Sequence, residues 1–282
     1  MTKVVHVGPS NLHKANQISS ESEQIMKTIA VVNHKGGVGK TAVSMALAER
    51  LHTLGKKTLL VDLDQQINAT LTSKVKRDGV PTMYDILLYP QEYKAKDAVQ
   101  SYEHGDIIPG DILVGDAETS LSKFDTPLCV LQDALWDIRD DYDYCIIDCP
   151  PFLGYVTRNA MVAADSIIVV VVPDTASVDG FSKVAQVVEA IRSNRHLNPD
   201  LKIEGVLVNT YSPHGLLDRA IDEELPAIAE AIGTKVYETR IRKCVEVRKA
   251  QSKYQSIYDS APYCTSAKDF EAFVDEFLKD KE

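Results

Sequence analysis

A glycine-rich segment near the start of the chain constrains the fold more than any other feature of the sequence. It runs His-Lys-Gly-Gly-Val-Gly-Lys-Thr from His34 to Thr41 and directly follows a β-branched run, Ile29 to Val32. The apolar positions after it repeat at helical spacing, at Val43, Leu47, Leu51 and Leu54. This order predicts a strand, a turn and a helix, with Gly55 placed to end the helix.

A turn of this kind is suited to binding phosphate. Between a strand and a helix it directs backbone N–H groups and the positive end of the helix dipole toward one point. Gly36, Gly37 and Gly39 allow a ligand to approach the backbone closely. Lys40 supplies a positive charge for phosphate oxygens, and Thr41 supplies a hydroxyl for Mg²⁺. The segment therefore predicts a site for a nucleotide and Mg²⁺.

Further short apolar runs alternate along the chain with segments of helical length. The runs are Thr58 to Val61, Tyr144 to Ile147, Ser166 to Val172 and Ile203 to Val208, and the segments include Val178 to Arg192 and Leu217 to Ile232. The run at 166–172 is apolar on both faces, which is typical of a central parallel strand covered by helices on both sides. We therefore predict an α/β fold with a doubly wound, mostly parallel sheet flanked by helices, and functional loops at the carboxyl ends of its strands.

Length and composition set the domain organisation. With 282 residues, 44% of them hydrophobic, the chain is long enough for one large domain, although two small ones remain possible. Residues 1–26 are polar and lack periodicity, so we predict an N-terminal arm there and a single domain over residues 27–282. No apolar stretch approaches the roughly 20 residues of a membrane span. The five cysteines form no CxxC pair, which favours reduced thiols in a cytoplasmic protein.

Three aspartates stand at the ends of predicted strands. Alternation along the second strand places Asp62 and Asp64 on the same side if the strand extends that far. Another apolar strand ends in Asp148 and is followed by Pro150 and Pro151. Carboxylates at the carboxyl ends of strands, beside a phosphate loop, can position Mg²⁺ and an attacking water molecule. For Asp62 or Asp64 taken alone, a role in a turn or helix cap remains the alternative.

The loop departs from the general phosphate-loop pattern GxxxxGK[ST], because His34 stands where that pattern has glycine. The remainder, Lys35 to Thr41, resembles the KGGxGK[ST] loop of the ParA/MinD family of ATPases, the deviant Walker A class of P-loop NTPases. The aspartate segments resemble the DxDPQ and DxPP motifs of that family, with Gln65 in place of the first proline. The resemblance runs from about Thr28 to Lys279 and implies ATP and Mg²⁺ as cofactors.

The resemblance also implies a role for each motif residue. Lys35 is expected to reach across an ATP-dependent homodimer to phosphates bound by the partner subunit, and Asp64 is expected to activate the hydrolytic water. With Lys40, these two are the expected catalytic residues. The expected nucleotide-binding residues are Lys35, Gly36, Gly37, Val38, Gly39, Lys40, Thr41, Ala42 and Asn209, the last of them at adenine. The expected metal-binding residues are Thr41, Asp64 and Asp148.

A cluster of basic residues interrupts a chain whose net charge is −10. Its members are Arg240, Arg242, Lys243, Arg248, Lys249 and Lys253, with Glu246 as the only acidic residue between them. Such a patch is sufficient for non-specific contact with DNA phosphates, and a dimer presents it twice. Glu246 replaces a family arginine implicated in DNA contact. A solvated basic helix is the alternative interpretation.

These features predict a ParA-type ATPase for plasmid or chromosome partition, associated with the nucleoid. ATP would close a homodimer that binds double-stranded DNA non-specifically, and a ParB-like centromere-bound adaptor would stimulate slow hydrolysis. A MinD-like ATPase that positions membrane or protein cargo is the alternative. Membrane contact of that kind needs a basic amphipathic C-terminal helix. Here the apolar stripe from Phe270 to Leu278 is accompanied by acidic residues, so we expect the helix to pack on the sheet and no membrane contact.

Overall fold

The computed structural model describes residues 26–279, apart from the side chains of residues 175–178. The strands are β1 (Lys27–Val32), β2 (Thr58–Asp62), β3 (Gln100–Tyr102), β4 (Gly105–Ile108), β5 (Tyr144–Asp148), β6 (Ser166–Val171), β7 (Lys202–Tyr211) and β8 (Val236–Arg242). The helices are α1 (Lys40–Thr53), α2 (Asn68–Ser73), α3 (Met83–Leu88), α4 (Ala95–Ala98), α5 (Val114–Leu121), α6 (Val130–Trp136), α7 (Tyr155–Ala163), α8 (Thr175–Arg192), α9 (Leu216–Ile232), α10 (Val245–Ser252), α11 (Ile257–Ser260) and α12 (Thr265–Lys279).

The strands form one eight-stranded sheet in the order β3-β4-β2-β5-β1-β6-β7-β8. Every neighbouring pair is parallel except β3 and β4, which form an antiparallel hairpin at one edge. The chain runs from β1 to β2 on one side of β1, and from β5 to β6 on its other side, so the direction of the connections reverses at β1. Ligands of open α/β sheets usually bind at such a point. The predicted fold class, a doubly wound and mostly parallel sheet flanked by helices, is confirmed.

Helices cover both faces of the sheet, and each face has its own hydrophobic core. In β1 the side chains of Ala30 and Val32 face one core, and those of Ile29 and Val31 face the other. The first core also contains side chains of α3 and α5 to α9, and the second contains those of α1 and α12. All six residues of β6 are buried, as its continuous apolar run predicts for a strand covered on both sides.

The last helix packs as the sequence predicts. Phe270, Phe273 and Phe277 of α12 are buried, and the helix lies against β8 and α1. Its apolar face is therefore part of the core. Within residues 26–279, no helix has both the length and the apolar content needed to cross a lipid bilayer. The predicted arm, apart from buried Met26, lies outside the described residues, so the division into residues 1–26 and 27–282 stays a prediction.

Candidate functional site

The glycine loop connects β1 to α1 through backbone conformations that favour glycine. Gly37 and Gly39 have φ angles of 74° and 93°. Gly39 immediately precedes α1, and its carbonyl oxygen accepts a hydrogen bond of 3.0 Å from the N–H of Val43. Within the described residues, no side chain caps the N-terminus of α1. The N–H groups of its first turn therefore remain available to an anion.

Asn209, near the carboxyl end of β7, is hydrogen-bonded to the backbone of the glycine loop. Its amide nitrogen donates a hydrogen bond of 2.7 Å to the carbonyl oxygen of Val38, and the side chain is buried. A Cβ atom on Gly39 would lie 2.2 Å from the same nitrogen, so only glycine fits beside it. Asn209 thus fixes the loop backbone, and its expected contact with adenine stays a prediction.

Asn33 supports the other side of the loop and was not identified from the sequence. Its side chain donates to the carbonyl oxygen of Val170 at 2.5 Å and accepts from the backbone N–H of Lys35 at 2.8 Å. The ammonium group of Lys35 forms an ion pair with Asp174, the residue before α8. Both side chains are about one-third exposed, at 39% and 31%. The lysine therefore lies at the surface of the loop, held within its own subunit, and its expected role across a dimer stays a prediction.

Lys40 points into the site. The residue is only 5% exposed, and its ammonium group donates to the carbonyl oxygen of Lys35 at 3.2 Å. Burial lowers the pKa of Lys40, whereas the nearby carboxyl groups of Asp148 and Asp64 oppose that change. A buried cation with a single carbonyl contact is well placed to meet the negative charge of a phosphate.

Asp148 lies at the end of β5, and its two carboxylate oxygens have different surroundings. The residue is fully buried, and its Oδ1 accepts a hydrogen bond of 3.0 Å from the hydroxyl of Ser44 on α1. Among residues 26–279, its Oδ2 has no hydrogen-bond partner. Burial, and then the neighbouring Asp62, raise the pKa of Asp148 to about 8, while the hydroxyl of Thr41 favours the ionised form. A divalent cation bound here would satisfy that oxygen and stabilise its charge, so these residues fit a Mg²⁺ site.

Asp62 and Asp64 differ in their surroundings. Strand β2 ends at Asp62 because the chain then turns, and the carbonyl oxygen of Asp64 accepts from the N–H of Ile67 at 2.8 Å. The two aspartates are therefore not successive residues on one strand face. Fully buried Asp62 accepts from the N–H of Thr70 at 2.9 Å and from its hydroxyl at 2.7 Å, which fixes α2 against the sheet. Burial raises the pKa of Asp62 to about 6.

A cleft of about 540 Å³ opens over the loop. The predicted residues on its lining are Gly36, Gly37, Gly39, Lys40, Thr41, Ala42 and Asp64. Residues not predicted there are Gln66, Asn68, Thr72, Pro151, Gln251 and Tyr254, the last two from α10 and the segment after it. A cavity of about 610 Å³ between residues 88–94 and 123–137 is larger but contains no phosphate-binding turn. The structure therefore places the loop, Asp64 and α10 around one solvent-accessible site.

The six basic residues do not share one helix. Arg240 and Arg242 lie on β8, Lys243 follows it, and Arg248 and Lys249 lie on α10. Three of the six are paired with carboxylates: Arg240 with Asp222 at 3.0 Å, Arg242 with Asp269 at 2.6 Å, and Lys249 with Glu246 at 2.8 Å. The remaining three, Lys243, Arg248 and Lys253, are exposed. DNA contact by the six residues stays a prediction, and pairing reduces the free positive charge of the patch.

Comparison with known proteins gives a matching family model and named relatives. A family model described as an AAA domain matches residues 26–203. The chain is 37% identical over 227 residues to the sporulation initiation inhibitor protein Soj of Bacillus subtilis, covering 80% of this chain and 88% of that protein. It is 34% identical over 200 residues to the chromosome partitioning protein ParA of Myxococcus xanthus, covering 71% and 70%.

Similar solved structures share the fold. Cobyrinic acid a,c-diamide synthase from Mycobacterium smegmatis, solved with bound ADP and magnesium, superposes with a TM-score of 0.76 at 26% identity, covering 91% of this chain and 96% of that one. The cell division ATPase MinD of Pyrococcus furiosus superposes with a TM-score of 0.71 at 23% identity, covering 90% and 98%. With its deviant phosphate loop and these relatives, the chain belongs to the ParA/MinD family of P-loop ATPases.

Proposed function

We propose that this chain is a ParA-type partition ATPase, in which bound ATP and Mg²⁺ control the association of two copies and their binding to DNA. The observation that carries the proposal is the loop itself. It combines two lysines, Lys35 and Lys40, with a helix N-terminus that no side chain of residues 26–279 caps and an oxygen of Asp148 that has no partner among those residues. Relatives named ParA and Soj support partition as the process it serves.

The chain supplies groups for the phosphates, the metal ion and the attacking water. The backbone N–H groups from Gly36 to Thr41 would bind the phosphates, and Lys40 would neutralise their charge. Thr41, Asp64 and Asp148 would hold Mg²⁺, which when bound balances the negative charge that develops on the phosphates during hydrolysis. Asp64 lines the cleft and would accept a hydrogen bond from the attacking water.

The lysine at the loop surface supports a dimer. Lys35 is partly exposed, and its ammonium group is held by one carboxylate, that of Asp174. In a dimer, Lys35 would release Asp174 and bind the phosphates of the second subunit instead. The lysine would then remain paired with a negative charge and would join the two copies. Closure of a dimer would therefore depend on the γ phosphate rather than on a large apolar surface.

Slow hydrolysis by the isolated protein is part of the proposal. Within residues 26–279, no arginine lines the cleft, and an arginine at such a site accelerates related reactions by about 10³- to 10⁵-fold. A centromere-bound adaptor that completes or reorganises the site would then govern release from DNA. Such control is required of an ATPase that must remain on the nucleoid until it meets its cargo.

The test is ATP-dependent retention on DNA of arbitrary sequence. We expect the purified full-length chain to bind labelled duplex with ATP and Mg²⁺ but not with ADP, and to lose affinity steeply as salt is raised. Lys40→Ala should lose nucleotide and DNA together, whereas Lys35→Ala should retain nucleotide and lose the dimer. Arg248→Ala should weaken retention, and exposed Arg195→Ala, far along the chain, is its matched control.

Two results would contradict the proposal. If the protein binds ATP but is not retained on DNA at low salt, partition by DNA binding is wrong. If the ATP-bound protein instead sediments with anionic vesicles, the MinD-like alternative replaces it. The buried apolar face of α12 argues against the second result, because that face would have to leave the core to reach a membrane.

A further inference from the structure

A second polar cavity, of about 390 Å³, lies beside the nucleotide cleft. Its lining combines Glu49 of α1 with residues of the turn between β3 and β4 and of α11. Thr72 of α2 lines both this cavity and the nucleotide cleft, so the two spaces are neighbours. None of the phosphate-binding residues lines the second cavity.

Three potential metal ligands converge at the mouth of this cavity. Glu103 and His104 form the turn between β3 and β4, and Asp259 belongs to α11. One ligand atom from each lies within 4.8 Å of the other two. His104 Nε2 and Asp259 Oδ2 form a hydrogen bond of 2.9 Å, which a metal ion bound by both atoms would replace. The turn is held by Gly105, whose φ angle is 126°.

Two buried polar atoms of residues on the cavity lining lack partners among residues 26–279. Glu49 is 1% exposed; its Oε2 accepts a hydrogen bond of 2.5 Å from Ser256, and its Oε1 has no partner among residues 26–279. The hydroxyl of Tyr102, on the same lining, is also buried without a partner in that part of the chain. A buried carboxylate that lacks a cation destabilises a fold by several kcal/mol in general. The wall of the cavity is therefore short of positive charge.

The charges around the cavity favour a cation over an anion. Glu49, Glu103 and Asp259 supply three carboxylates, and the lysine on the lining, Lys74, is exposed to solvent. An imidazole combined with carboxylates suits zinc and similar transition metals, whereas Mg²⁺ and Ca²⁺ prefer ligands that are all oxygen. This set of ligands therefore differs in kind from the expected Mg²⁺ ligands of the phosphate loop.

We propose that Glu103, His104 and Asp259 bind a divalent transition-metal ion of the Zn²⁺ type, with the carboxylate of Glu49 behind them as a positioning group. Water would complete the coordination. The ion would join the β3–β4 turn to α11, two segments that are 155 residues apart between His104 and Asp259. Since the segment just before α11 carries Tyr254 of the nucleotide cleft, bound metal would also stabilise that wall of the cleft.

The test is Zn²⁺ binding by the nucleotide-free, full-length chain in excess Mg²⁺, measured by competition with a chromophoric chelator. We expect His104→Gln and Asp259→Asn each to weaken one site by at least about tenfold, and Glu49→Gln to weaken the same site less. His196→Gln is the matched control, because His196 is exposed and lies outside the cavity. Wild-type affinity in the His104→Gln variant would overturn the proposal.

A measurement on the wild-type protein covers the case in which a variant does not fold. X-ray absorption by the chain loaded with one equivalent of Zn²⁺ should show nitrogen and oxygen ligands that include imidazole. Sulfur in the coordination shell would place the ion on cysteine residues and overturn the proposal. The metal should also raise the melting temperature of the wild type but not of a folded His104→Gln variant, by the linkage of binding to stability.

Discussion

Replacement of Asp148 by asparagine should make the nucleotide-free protein more stable while it abolishes the Mg²⁺ site. The wild-type carboxyl group is fully buried, and burial with the nearby Asp62 raises its pKa from 3.8 to about 8. An amide has nearly the same shape, and its oxygen can still accept the hydrogen bond from Ser44. The variant therefore removes a buried ionisable group without removing the contact that positions the side chain.

The size of the effect follows from the shift in pKa. A carboxyl group with a raised pKa in the folded state contributes full stability below pH 3.8, and that stability is lost as the pH rises to about 8. Each pKa unit corresponds to about 1.4 kcal/mol. The raised pKa therefore lowers the unfolding free energy of the wild type by at most about 2 kcal/mol at pH 5 and about 4 kcal/mol at pH 7. The advantage of Asp148→Asn should grow by about 3 kcal/mol between these values, which are two pH units apart.

Urea unfolding of both proteins at pH 5 and pH 7, in EDTA and without nucleotide, measures this difference. With Mg²⁺ and ATP the order should reverse at pH 5 and the advantage of the variant should shrink at pH 7, because ligand at about 100 times its Kd adds about 2.7 kcal/mol to the wild type and much less to the variant. An advantage that does not increase with pH would refute the assigned cost of the buried charge. Undiminished stabilisation of the variant by Mg²⁺ and ATP would refute the role of Asp148 at the metal.

Three further substitutions test the loop and the core. Gly39→Ala should destabilise the chain by about 2 kcal/mol or more and abolish ATP binding, as measured by calorimetry. Gly55→Ala is the control: its φ is also positive, but no atom lies within 4 Å of the new Cβ, so it should destabilise the chain less and leave ATP binding intact. Burial raises the pKa of Glu49 to about 7, so the unfolding free energy of the wild type should fall by at most about 3 kcal/mol as the pH rises from 4.5 to about 7. Glu49→Gln should reduce this fall, as measured by urea unfolding. Phe273→Ala should lower the unfolding free energy by about 3–5 kcal/mol and partly buried Leu278→Ala by less, as measured by chemical denaturation.

The central strands of the sheet could be predicted from the sequence because they are apolar on both faces. Five of the eight strands, β1, β2, β5, β6 and β7, coincide with predicted apolar runs. The edge strands were not predicted. Strand β8 reads Val-Tyr-Glu-Thr-Arg-Ile-Arg and buries only Tyr237 and Ile241, so its composition resembles that of a surface segment. The β3–β4 hairpin is short, at three and four residues, and carries a similarly weak signal.

The candidate site shows the same division between local and long-range information. The glycine loop is a contiguous motif, so its residues could be identified and its turn predicted. Asn33 and Ser44 support the site through contacts with Val170 and Asp148, which are more than a hundred positions away along the chain. A single sequence holds no record of such pairings. The pairing of Arg242 with Asp269 was equally hidden, and it leaves the basic cluster with less free charge than its composition indicates.

The ion pair between Lys35 and Asp174 within one subunit competes with the contact that Lys35 would make to a second subunit. Under the proposed mechanism, the phosphates of a second subunit must displace a carboxylate that already occupies the lysine. The strength of that internal contact then sets the threshold of ATP and protein concentration at which two copies associate. Asp174 lies outside the cleft lining, at the start of α8. Selection acting there could retune the switch between single and paired subunits without altering the nucleotide site.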